Sequence, residues 1–212
     1  NKDRKNANKA SSQLLTITIV IATVIMLGCL VFHRILLSTF FGAIEMDVMK
    51  AATTYFLISA ISFPFLGVYN SAAALYRSME KTRTTMYVSI LMNIINVVGN
   101  YIGVFILHAG VAGVAVPTLI SRIVAAIIMF ALSLNSSNLV YVKIKKVFAW
   151  NQEMISRILK IAVPNGIENG LFTLGRVLVT SIVALFGTSQ IAANSVAGSI
   201  DQIAVVVVNA IN

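Results

Sequence analysis

ITIVIATVIMLGCLVF, residues 17–32, has no charged side chain and is apolar around the whole circumference of a helix. Such a helix is buried in a large protein core or in a bilayer. The choice between them comes from the rest of the chain. About 20 apolar residues cross the hydrocarbon core, and six segments have that character: 13–33, 51–75, 86–107, 111–134, 158–187 and 189–212. A soluble fold of 212 residues cannot bury six of them. The sequence therefore predicts an all-α integral membrane fold. Composition agrees, with 58% hydrophobic and only 11% charged residues and a mean hydropathy of +0.89.

The basic residues alternate between loops. Lys2, Arg4, Lys5 and Lys9 precede the first span, Arg77, Lys81 and Arg83 follow the second, and Lys143, Lys145, Lys146 and Arg157 follow the fourth. The loop at His108-Ala109-Gly110 and the turn near Gly187-Thr188-Ser189 carry none. Arg34 and Lys50 in the remaining loop are offset by Glu45 and Asp47. Positive residues favour the cytoplasmic side, so the loops 1–12, 76–85 and 135–157 are expected there, in the cell membrane. The same distribution explains the net charge of +9 without nucleic acid as a partner. The segment 34–50 reads as interfacial. NLVYVKIKKVFAW, residues 138–150, reads as a basic amphipathic strip on anionic lipid or as a solvated loop anchored by Trp150.

Enzyme chemistry finds no footing. The chain has no Gly-rich phosphate loop, its one cysteine cannot form an intrachain disulfide, and His33 and His108 lack ligand partners at metal spacing. The sequence predicts a non-enzyme without a cofactor. It also reads as an internal piece of a longer protein.

What remains polar lies inside spans. IAVPNGIENGLFTLGRVLVTSIVALFG, residues 161–187, holds Glu168 and Arg176, and Asp201 follows in the next run. Charge in hydrocarbon is costly and marks an ion or substrate path. Counted from a turn near 188 at about 1.5 Å per residue, Arg176 and Asp201 lie at one depth, as partners or as opposite walls of a polar cavity. Glu168 lies deeper, level with Asn209, and is about 80° and 12 Å away from Arg176 on the same helix. It is therefore expected to act alone, as a carboxylate able to exchange a proton or coordinate Na⁺. Asn165, Asn169, Asn194 and Gln202 add amides to this hairpin, and Asn93, Asn96 and Asn100 to the third span, where helix–helix hydrogen bonding is their expected role. Pro64, Pro117 and Pro164 predict kinks, with a hinge expected first at Pro164.

LYRSMEKTRTTMYVSILMNIINVVGNYIGVF with HAGVAGVAVPTLISR, spanning 75–122, resembles the multidrug and toxic compound extrusion family in the order of its basic loop, Asn-rich helix, Gly-Val-Ala-Gly turn and Ser-Arg end. AVPNGIENGLF and FGTSQIAANSVA, within 162–197, resemble the start of that family's second lobe. The resemblance implies a twelve-helix, two-lobe antiporter of which this chain supplies helices three to eight. Residues 1–134 would end the first lobe, 135–157 link the lobes, and 158–212 open the second. It implies export of cationic amphipathic drugs by a monomer, by alternating access, in exchange for Na⁺ or H⁺. The polar groups inside the spans make Glu168, Asp201, Arg176, Asn165 and Asn194 the candidate substrate and ion residues, with Na⁺ at Glu168 or Asp201. One branch of the family has a seventh-helix acid about two turns after its proline; Phe172 stands there in this chain, and Glu168 is one turn after Pro164. A lipid-linked precursor flippase and a non-transporting membrane scaffold are the alternative readings.

Overall fold

The computed structural model describes residues 2–41, 45–143, 147, 151–184 and 186–211, with side chains for all of these except 2–5, 40, 41, 184, 188 and 203–211. The elements are α1 (Lys2–Phe41), α2 (Met46–Ile61), α3 (Phe63–Ser78), α4 (Thr82–Tyr101) continued by a π-helical turn (Ile102–Ile106), α5 (Ala112–Ser133), α6 (Gln152–Ala184) and α7 (Thr188–Ile211). Among the described residues, α1, α5 and α4 with its π turn are long and apolar enough to cross a membrane, and the bent pair α2–α3 makes a fourth span if taken as one. α6 and α7 run to 33 and 24 residues.

Burial runs opposite to a soluble protein. Val24, Val31, Val97 and Leu107 are more than 60% exposed, while Ser12, Gln13, Ser62 and Ser133 are at most 1% exposed. Large apolar groups face outward because lipid is as apolar as they are, and small or hydroxyl-bearing residues let the helices approach. Ala72, Ala73, Tyr76, Val88, Ala125 and Met129 form the cluster between α3, α4 and α5. Gly67 brings α3 against Thr18 of α1, where an added Cβ would lie 3.1 Å from Thr18 Cγ2.

The kinks expected at the three prolines come out differently. At Pro64 the helix breaks: α2 and α3 meet at 45° around Ser62, and Pro64 occupies the first turn of α3, where its missing N–H has no helical partner to lose. Pro117 and Pro164 lie inside helices that continue through them, so α6 does not break at Pro164.

The α4–α5 hairpin is the most extensive helix–helix contact. Leu107 N–H donates to the Ile102 carbonyl at 2.9 Å, the wider ring of a π turn, and the reversal uses positive φ at His108 (47°) and Gly110 (54°). Beyond it, glycines allow backbone contact. A Cβ on Gly113 would stand 2.5 Å from the Gly103 carbonyl oxygen, and one on Gly99 would stand 2.6 Å from Pro117 Cβ. Asn96 Nδ2 donates to Thr118 Oγ1 at 2.9 Å, and the Asn96 and Asn100 amides meet at 3.1 Å. Amide glue is thus realised between α4 and α5.

At the basic end several loop boundaries are corrected. Residues 2–12 are helical, and between α3 and α4 only residues 79–81 turn. The reason is a polar clasp absent from the hydropathy pattern. Asn8, Ser12 and Gln13 are buried on α1 because they bind the backbone of the segment after α5. Tyr141 N–H donates to Asn8 Oδ1 (3.0 Å), Lys143 N–H to Ser12 Oγ (3.0 Å) and Asn151 N–H to Gln13 Oε1 (3.1 Å). Thr16 Oγ1 donates to the Val147 carbonyl. Asn138 joins α3 and α5 through Tyr76 Oη and the Leu132 carbonyl, and accepts from Lys81 Nζ at 2.7 Å. In the described part of the 135–157 linker, Asn138, Val142, Val147 and Ile155 are buried against the helix ends, while residues 135–137 and Leu139 are exposed. The linker also ends early, since Asn151 caps α6 by accepting from Met154 N–H at 3.0 Å. Lys145, Lys146 and Trp150 lie outside the described residues.

Candidate substrate and ion site

α6 and α7 form a hairpin closed at Gly187, whose φ of 108° suits glycine. Its hydroxyls survive in apolar helices by bonding their own backbone. Thr173 donates to the Asn169 carbonyl at 2.8 Å, Thr180 to Arg176 at 3.0 Å, Ser195 to Ile191 at 2.9 Å and Ser199 to Ser195 at 2.8 Å. The Asn169 amide does the same with the Asn165 carbonyl, at 2.8 Å. These groups bind within their helices instead of joining α6 to α7.

Between the two helices runs an open cleft of about 850 Å³. Leu171, Phe172, Gly175, Arg176, Val179 and Thr180 line it from α6, with Asn194, Ser195, Gly198, Ser199 and Gln202 opposite. Both sets recur at helical spacing, which puts them on one face of each helix. A Cβ added at Gly175 or Gly198 would meet no neighbour within 4 Å, so the glycines leave the cleft wide.

The structure brings together Arg176 and Asn194 of the expected site. It does not pair Arg176 with Asp201. Among the described residues the ion pairs within 4 Å are Lys50–Asp47 and Arg157–Glu153, both on exposed helix surface. Equal depth does not suffice, because Arg176 turns back along α6 to stack over the Phe172 ring, 6.0 Å from its centroid. Asp201 is exposed and does not line the cleft. Glu168 is exposed too, without a hydrogen bond or ion pair to any described residue, and lies one turn before Phe172, on the helical face that lines the cleft. Asn165 is exposed on the preceding turn, and the Asn209 side chain lies outside the described residues.

A second charge inside an apolar helix is Arg122. It is halfway along α5, half-buried, and donates from Nη1 to Ser62 Oγ at the α2–α3 break. Ser62 in turn donates to the Ser59 carbonyl at 2.6 Å, and the buried Ser59 Oγ has no partner among the described residues. The signal was available: Arg122 interrupts the apolar segment 111–134 just as Arg176 interrupts 158–187.

The MatE family profile matches residues 1–102. The chain is 34% identical over 123 residues to "Uncharacterized transporter YisQ" of Bacillus subtilis, covering 56% of this chain and 27% of that protein. It is 25% identical over 170 residues to "Probable multidrug resistance protein NorM" of Thermotoga maritima, covering 77% and 36%. It is 26% identical over 93 residues to "Protein DETOXIFICATION 43" of Arabidopsis thaliana, covering 44% and 18%. Over residues 1–102 the chain is similar to the MatE family. No solved structure matches it. The matches span no more than 36% of the length of these curated relatives. The MatE segment comprises α1 to α4 and ends on the first residue of the π turn, so the α6–α7 cleft lies outside it. The apolar, inside-out helices and the MatE match together support a multi-pass membrane protein.

Proposed function

We propose that this chain is part of a secondary transporter that exports amphipathic toxic compounds by alternating access, driven by Na⁺ or H⁺ rather than by nucleotide hydrolysis. The observation that carries it is the α6–α7 cleft, a polar-lined and apolar-walled space in helices of membrane-spanning length, with a free carboxylate one turn away on the same face. Glu168 is the first candidate for ion coupling and Asp201 the second. A carboxylate oxygen can take a proton or contribute to a shell of oxygens around Na⁺, and either event removes negative charge beside the cleft. Ion binding at the carboxylate would then change the cleft's affinity for its substrate, which is how an ion gradient is coupled to export. The basic segments 1–12, 76–85 and 135–157 would face the cytoplasm.

The test is dye efflux from drug-sensitive cells expressing the complete transporter. Glu168→Gln keeps the side-chain size and removes the titratable group. It is expected to lower gradient-driven efflux strongly, because the group that would take the ion is gone, and Asp201→Asn to lower it less. Wild-type efflux in both variants would remove these residues from the coupling scheme.

A further inference from the structure

We propose that the α6–α7 cleft takes an amphipathic organic acid, with its carboxylate on Arg176. This rests on the transport reading above and names its substrate class. Arg176 is the only ionised side chain among the described residues that line the cleft. Its guanidinium lies over the Phe172 ring, 6.0 Å from the centroid. No described residue accepts a hydrogen bond from it or pairs with its charge, and the expected counter-ion, Asp201, lies off the lining. A guanidinium offers five donors in a fork that matches a carboxylate.

A cation entering this cleft would meet positive charge with no lining carboxylate to offset it. The resemblance to drug exporters points to cations; the charge on the wall points the other way. The remaining polar groups suit the rest of an acid. Thr180 and Ser199 commit their hydroxyl hydrogens to the Arg176 and Ser195 carbonyls, so their oxygens remain as acceptors for an N–H or O–H on the ligand. The Phe172 ring offers a flat apolar surface beside the charge. A volume of about 850 Å³ fits a drug-sized molecule.

The test uses the complete transporter in lipid vesicles with two dyes that differ only in one group, a carboxylate and its primary amide. Wild type is expected to move the acid. Arg176→Gln should lower acid transport at low dye concentration by roughly tenfold or more, the loss expected for one charge-assisted pair, and alter amide transport less than about twofold. Arg176→Lys, which keeps charge without the fork, should fall between. Unchanged acid transport in Arg176→Gln would overturn the proposal, and so would an equal loss for acid and amide, which marks a structural role. If wild type moves a cationic dye but not the acid, the substrate class is wrong while transport stands. If it moves none of the dyes, the transport reading itself fails.

Discussion

Arg122 illustrates how a single side chain can be read against its solvent. An arginine at the centre of a membrane helix costs about 2.5–3.5 kcal/mol on insertion scales. Its hydrogen bond to Ser62 Oγ returns about 1.5–3 kcal/mol, the range for bonds to charged groups. The two nearly cancel, with the cost slightly ahead. Replacing Arg122 with methionine, which has a similar length and no charge, is therefore expected to leave the thermal unfolding midpoint of the detergent-purified protein unchanged or slightly raised. A fall of many degrees would show that Arg122 is a stabilising strut after all. Arg176 faces the same cost without any hydrogen bond from its guanidinium to a described residue. Both arginines were visible as interruptions of apolar runs. Their partners were not, because spacing along the chain gives depth but not the direction a long side chain takes. Depth alone matched Arg176 to Asp201, and the Phe172 ring one turn away on the same helix captured it instead.

Helices carry the clearest agreement between sequence and structure, and the clearest departures. The apolar cores of α1, α4 and α5 fall where hydropathy places them, because twenty apolar residues have no stable alternative to a helix in lipid. Their ends do not. α1 begins ten or more residues earlier than its apolar run, since Asn8, Ser12 and Gln13 gain buried backbone partners from residues 141–151. A polar face that binds another segment looks the same in sequence as a polar face in water. The π turn after α4 was equally invisible, because it depends on contact with α5. That contact makes a sharp prediction. Gly113→Ala would press a Cβ to 2.5 Å from the Gly103 carbonyl oxygen, backbone that cannot move aside, and should lower the thermal midpoint by several degrees. Gly28→Ala, on a helix surface with nothing within 4 Å, should be neutral or slightly stabilising, by up to about 1 kcal/mol from helix propensity. Equal effects of the two substitutions in the same thermal assay would mean that α4 and α5 do not approach this closely.

At the scale of the whole molecule, α1 to α5 pack as one group and α6–α7 attach through the end of α1. The attachment is specific: Gln13 of α1 holds the backbone of Asn151, which caps α6. The sequence places the expected division near 134 and the hairpin after 158, and the family resemblance implies the lobes. It could not show that the connecting segment is clamped, since that depends on side chains more than 100 residues away. The division leaves a polar cleft and an unpartnered carboxylate together in the second group, and the account of function rests on that juxtaposition. The most direct measurement follows Na⁺ or protons and dye simultaneously in vesicles containing the complete transporter. The account predicts that dye export drives a fixed ratio of ions the opposite way and that Glu168→Gln abolishes the ion movement. Dye export that continues unchanged with both ion gradients collapsed, or ion movement unaffected by Glu168→Gln and Asp201→Asn together, would contradict it.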